Sequence, residues 1–171
     1  MSSPAAPDTP RIASWAYLSI GLTAGSVIAL QICIMRIFAV GNWVHFGSLV
    51  VSLALLGFGL TSAVMCAGKD WFERHWESVA GGALLLFGPL AVAANLLAQQ
   101  HPFNAIFLVS DPAQKWLLLA NFLLYFLPFL AGAFFIGTVL LRSRTAFNRV
   151  YFADLAASGL CGLSMLATMY V

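Results

Sequence analysis

VHFGSLVVSLALLGFGLTSAVMCA, residues 44–67, contains no Asp, Glu, Lys or Arg. A helix needs about 20 mostly apolar residues to cross the hydrocarbon core of a bilayer, so this stretch predicts a transmembrane helix. The composition of the whole chain agrees, because 61% of its residues are hydrophobic and only 8% are charged, whereas soluble domains carry about 25% charged residues. We therefore predict an integral membrane protein.

Four further apolar segments of similar length occur in the chain, separated by short polar stretches. The five predicted spans are residues 15–34 or slightly beyond, 44–67, 79–98, 116–141 and 150–171. The segment 68–78 is too charged to lie in lipid and is predicted to be a connection. Strands of a membrane β-barrel would alternate in units of about 10 residues, a pattern absent from this sequence. The predicted fold class is all-α, a polytopic bundle of about five transmembrane helices.

The basic residues predict the orientation of this bundle, because cytoplasmic loops retain Lys and Arg. Five crossings place most of the basic residues on one side of the membrane, namely Arg11, Lys69, Arg74, Arg142, Arg144 and Arg149. Only Lys115 and Arg36 fall on the other side. We therefore predict a cytoplasmic N-terminus.

The two ends of the chain differ in composition. Residues 1–13 are rich in proline and small polar residues and predict a disordered cytoplasmic tail. Residues 14–171 form the predicted transmembrane domain. The last predicted helix is still apolar at Val171, so we expect this domain to be truncated at its C-terminal end.

Small residues recur at helical spacing in the first two spans. They are Gly21 and Gly25 in the first span, and Ser48, Ser52, Gly59 and Ser62 in the second. Membrane helices pack where small side chains let their backbones approach, so we predict that these two helices form a tight pair. In the fourth span, we expect Gly132 and Gly137 to allow close contacts beyond Pro128.

Polar side chains inside the spans are candidates for function, because a charge in the bilayer is costly. The candidate intramembrane positions are Gln31, Arg36, His45 and Asp154. At 1.5 Å per residue, Arg36 lies roughly 30 Å along the first helix and Asp154 only about 7 Å past Arg149, so we expect no direct bridge between them. We expect Arg36 to snorkel to the outer face and Asp154 to reach the cytoplasmic arginines.

No residue pattern indicates catalysis or a bound cofactor. Cys33, Cys66 and Cys161 all fall inside spans without a CxxC spacing, and they are expected to be buried small hydrophobic residues. Haem between helices needs paired axial ligands, and only His45 lies near a span. We therefore predict no catalytic residue, no cofactor and no metal. The few arginines beside the bilayer indicate topology, so no nucleic acid partner is expected.

Several segments resemble a known family. QICIMRIFAV (31–40), WVHF (43–46), VSLALLGFG (51–59), PFLAG (128–132) and RVYFADLAASG (149–159) are similar to the N-terminal transmembrane region of membrane-bound spermidine synthase-like bacterial proteins. The resemblance covers most of residues 22–162. One position departs from the family, which usually has glutamate five residues before the arginine, where this chain has Gln31.

The resemblance implies a location in the bacterial cytoplasmic membrane and an aminopropyltransferase-type domain downstream. Aminopropyl transfer needs a nucleotide-binding fold with a glycine-rich turn after a strand, whereas Gly57 and Gly59 lie in an apolar helix. We therefore predict a scaffold or anchor that is non-catalytic by itself, with the lipid bilayer, other transmembrane helices or a downstream soluble domain as partners. The alternative is an accessory subunit of a larger membrane complex. A small-molecule or amine transporter is less favoured, because few membrane carboxylates are available to bind a cation.

Overall fold

The computed structural model describes residues 14–41, 45–100, 107, 110–143 and 146–170. Within these ranges the chain forms helices and no strand. The helices are α1 (Ser14–Gly41), α2 (His45–Ala67), α3 (Lys69–Arg74), α4 (Trp76–Gln100), α5 (Pro112–Arg142) and α6 (Phe147–Tyr170). All except α3 are long and apolar enough to cross a membrane. The predicted all-α bundle, with five helices long and apolar enough to cross a membrane, is confirmed. The predicted tail, residues 1–13, lies outside the described residues.

Helix α5 begins four residues earlier than the apolar pattern predicted, because its start is set by a cap. The Asp111 carboxylate accepts a hydrogen bond of 2.9 Å from the backbone N–H of Ala113. Pro112 occupies the first helical position, where a missing N–H costs nothing. The capped start extends α5 toward the polar connection that precedes it.

The charged connection between the second and third spans contains the short helix α3. Asp70 lies in its first turn and Arg74 in its last, which is the favourable arrangement for the helix dipole. Phe72 is buried and stacks on Phe134 of α5 at 5.9 Å between ring centroids, whereas Trp71 is exposed. Helix α3 therefore has one face on the bundle and one face away from it.

Helix α5 occupies the centre of the bundle and packs against α4, α2 and α1. Phe129 and Pro128 of this helix are completely buried, and Tyr125 is nearly so. Helix α6 lies at the periphery and packs mainly against α1. The core is therefore built around α5.

Contacts at glycines define the direction of neighbouring helices. A Cβ atom at Gly21 of α1 would meet Ala157 of α6, and one at Gly25 would meet Cys161. The partner residue thus advances with α1, so α1 and α6 are parallel. Helices α2 and α5 are parallel by the same criterion, because Gly57 faces Phe129 and Gly137 faces Met65. Alternate crossings of a membrane require these directions.

Candidate functional site

Among the small residues predicted to pack helices together, Gly21 and Gly25 make the closest contacts, and these contacts join α1 to α6. A Cβ atom at Gly21 would lie 3.1 Å from the Ala157 Cβ, and one at Gly25 would lie 3.1 Å from the Cys161 Cβ. The backbone carbonyl oxygen of Ala157 would be only 3.4 Å from the Gly25 position. The two glycines therefore let the backbones approach, as small-xxx-small pairs do in membranes.

The predicted partner of these glycines is wrong, because α6 and not α2 covers them. The small residues of α2 face outward instead: Ser48, Ser52, Gly59 and Ser62 are all exposed, and Gly59 has no neighbour within 4 Å of a Cβ position. Helix α2 packs on α5 through another face, with Gly57 against Phe129. Helices α1 and α2 do approach each other near Gly47, where a Cβ atom would lie 3.6 Å from the Met35 carbonyl oxygen. Spacing identifies a helix face but does not identify the helix that covers it.

Gly59→Leu is expected to leave the free energy of unfolding within about 0.5 kcal/mol of wild type, because the new side chain enters open space. Thermal unfolding of the detergent-purified protein is the measurement. A large drop in melting temperature would show that this face of α2 is covered within the folded chain.

Among the four predicted polar positions, the structure describes the side chains of Gln31, Arg36 and Asp154, and it does not bring these three together. Gln31 is half-buried on α1, and Arg36 is exposed near the end of that helix. Asp154 is half-buried on α6. Because α1 and α6 are parallel, with Gly21 beside Ala157, Asp154 lies near the start of α1 and far from Arg36. The side chain of His45 lies outside the described residues.

Asp154→Asn is expected to change the melting temperature only slightly. No described residue forms a hydrogen bond or ion pair with the Asp154 carboxylate, so the predicted contact with the cytoplasmic arginines is not seen in this part of the chain. An amide of the same shape then changes stability by less than about 1 kcal/mol, whereas breaking a buried ion pair costs about 3–5 kcal/mol. Thermal unfolding in detergent distinguishes the two values.

Other polar side chains in the spans bond to their own helix. Asn121 donates to the Leu117 carbonyl oxygen at 3.0 Å, Thr23 to Ser19 at 2.9 Å and Thr138 to Phe134 at 2.6 Å. Such bonds satisfy polar groups where water is absent. The buried oxygens of Thr61 (Oγ1) and Asn95 (Oδ1) have no partner among the described residues.

The cysteines are free thiols, and they differ from the prediction in burial. Cys33 and Cys161 are half-buried, whereas Cys66 is exposed on α2. The described part of the chain contains no group of three His, Cys, Asp or Glu residues that could hold a metal ion.

A cleft with a volume of about 170 Å³ lies where α5 ends and α4 begins. Its described lining consists of Glu73, Trp76, Thr138, Leu141 and Arg142. The guanidinium carbon of Arg142 lies 5.6 Å from the Trp76 ring centroid, which is a cation–π contact. Sequence reasoning missed this cleft, because its walls come from three helices that are separated along the chain.

Comparisons of the chain with protein-family models, with curated proteins and with solved structures found no match. The resemblance to the spermidine synthase-like proteins therefore stays a prediction. The packed helices define the chain as a helical bundle able to cross a membrane.

Proposed function

We propose that this chain is a membrane-embedded scaffold, a helical domain that holds other parts of a protein or complex at the bilayer. On the basis of the resemblance described above, we further propose that the chain corresponds to the N-terminal membrane region of a spermidine synthase-like protein in a bacterial cytoplasmic membrane. In that setting, catalysis belongs to a downstream aminopropyltransferase-type domain and not to these helices.

The filled interior of the bundle carries the proposal. Phe129 of α5 is completely buried, as is Ile20 of α1, and Val27 of α1 and Val50 of α2 are nearly so. Interdigitated apolar side chains fix the relative positions of helices. A solute pathway needs polar groups and space near the bilayer midplane, so close packing at Phe129 and Val27, which lie near the middle of their helices, favours a structural role over transport.

Liposomes that contain the purified chain test the scaffold against a transporter. We expect uptake of labelled spermidine to equal that of protein-free liposomes, while the reconstituted chain keeps its helical circular dichroism spectrum. Uptake well above the protein-free level, abolished by Asp154→Asn, would contradict the scaffold.

The nucleotide sequence after the Val171 codon tests the relation to the spermidine synthase-like proteins. A reading frame that continues into a strand followed by a glycine-rich turn and acidic residues supports it, because these elements bind an adenosyl group. A stop codon at that position favours an independent subunit.

An accessory subunit of a membrane complex is the second candidate, and the outward face of α2 favours it. Ser48, Ser52, Gly59 and Ser62 are exposed along this face, where a second helix could approach closely. Native gels in mild detergent test the candidate with Ser52→Leu. A wild-type complex larger than the monomer that Ser52→Leu reduces to the monomer supports the subunit, whereas identical monomeric migration of both contradicts it.

A further inference from the structure

We propose that the cleft between Glu73, Trp76 and Arg142 binds the headgroup of an amine-bearing phospholipid of the phosphatidylethanolamine type. In this complex the lipid phosphate accepts hydrogen bonds from the Arg142 guanidinium, and its ammonium group lies at the Glu73 carboxylate. The proposal concerns lipid recognition and does not depend on the scaffold function.

The first argument is the depth of the cleft relative to the helices that cross the membrane. Arg142 is the last residue of α5 and Trp76 is the first residue of α4, so the cleft lies where two spans end. Tryptophan side chains are enriched at the level of the lipid headgroups. Trp71 of α3 is exposed at the same end of the bundle and marks the same level. A headgroup is therefore the polar group that this cleft meets.

The second argument is the shape and rigidity of the cleft. Its volume of about 170 Å³ is many times the space that one ordered water needs. Thr138 forms a fully buried base, and its hydroxyl donates to the Phe134 carbonyl oxygen, so this side chain is held in place. Leu141 supplies an apolar wall, against which the glycerol end of a lipid can pack. The cleft thus combines a polar mouth with an apolar side.

The third argument is the charge of the lining. The Trp76 ring holds the Arg142 guanidinium at 5.6 Å, and a planar guanidinium offers paired N–H donors to a phosphate. Glu73 brings a negative charge to the same cleft, which disfavours a headgroup that is only anionic. A primary ammonium group can donate hydrogen bonds to this carboxylate, whereas the quaternary ammonium of phosphatidylcholine has no N–H to donate. The pair of charges therefore selects a phosphate with an attached primary amine.

Native mass spectrometry of the purified full chain tests the proposal, with phosphatidylethanolamine, phosphatidylcholine and phosphatidylglycerol each titrated into the delipidated protein. We expect phosphatidylethanolamine to be retained most strongly. Arg142→Gln should weaken its binding about tenfold through loss of charge-assisted hydrogen bonds, and Arg142→Lys should weaken it less. Glu73→Gln should keep the binding of the lipid phosphate and remove the preference for phosphatidylethanolamine over phosphatidylglycerol.

Arg74→Gln is the matched control, because Arg74 is exposed on α3 near the same end of the bundle but does not line the cleft. Equal weakening by Arg74→Gln and Arg142→Gln would mean general attraction of basic residues to lipid and would overturn the proposal. An unchanged lipid preference in Glu73→Gln would also overturn it, and this variant serves the test even if Arg142→Gln does not fold.

Soluble glycerophosphoethanolamine distinguishes a membrane lipid from a free phosphate ester. We expect a large excess of this compound to displace little of the bound phosphatidylethanolamine, because it lacks the acyl chains that lie along the helices. Complete displacement at equal concentration would show that the cleft binds a soluble ester and would overturn the assignment to lipid.

Discussion

Gly132→Leu is expected to abolish the folded bundle. A Cβ atom at Gly132 of α5 would lie 2.7 Å from the Val27 Cγ2 of α1 and 3.4 Å from the Phe87 ring of α4. Val27 is buried and β-branched, so its methyl group cannot swing away without moving α1. Even Gly132→Ala should cost about 1–3 kcal/mol of unfolding free energy through overpacking, and leucine adds three more carbon atoms at the same point.

Size-exclusion chromatography and thermal unfolding in detergent measure this effect. We expect Gly132→Leu to elute as aggregate and Gly132→Ala to unfold at a lower temperature than wild type. Gly88→Leu is the matched control, because Gly88 of α4 is exposed and has no neighbour within 4 Å of a Cβ position. Equal behaviour of Gly132→Leu and Gly88→Leu would contradict the three-helix contact at Gly132.

Gly25→Cys is expected to form a disulfide with the native Cys161 under mild oxidation. The Cβ position at Gly25 lies 3.1 Å from the Cys161 Cβ, slightly closer than the 3.5–4.5 Å, or about 3.8 Å on average, found in disulfides, so the helices need to separate by only a few tenths of an ångström. Near-complete crosslinking of α1 to α6 should follow. This disulfide can form only if α1 and α6 pack side by side with Gly25 facing Cys161.

Peptide mass spectrometry after digestion detects this crosslink, in a background with Cys33→Ala and Cys66→Ala to remove competing thiols. Gly59→Cys in the same background is the control, since nothing lies within 4 Å of its Cβ position. We expect no linkage of that residue to Cys161. Absence of the Gly25→Cys crosslink under conditions that oxidise exposed thiols would contradict the packing of α1 on α6.

The sequence predicted the features that depend on local composition. Apolar runs located every long helix, because a helix in lipid must remain apolar over its whole length. The expected close contacts at Gly132 and Gly137 are confirmed, since Cβ positions there would lie 2.7 Å from Val27 and 2.8 Å from the Met65 sulfur. These contacts depend on a lack of side-chain volume, which a sequence shows directly.

The remaining features depend on which helix lies beside which. The spacing of Gly21 and Gly25 predicts a helix face that another helix can approach, but it does not say which helix. Only the three-dimensional arrangement shows that α6 covers this face. The cleft at Arg142 joins residues from α3, α4 and α5, whose proximity leaves no periodic trace in the chain. Helix α3 was not predicted, because the connection before α4 is charged and because six residues are too few to show an apolar repeat.

Helices α1 and α6 pack against each other, although they are the first and last described helices in the chain. During synthesis, α1 therefore has to wait for its partner. Helix α1 leaves the ribosome long before α6, with a delay of roughly 10 s at about 5–20 residues per second. Until α6 is synthesised, the face of α1 that carries Gly21 and Gly25 is open to lipid or to another helix. Translation arrested before α6 therefore yields a nascent chain in which α6 does not cover Gly21 and Gly25.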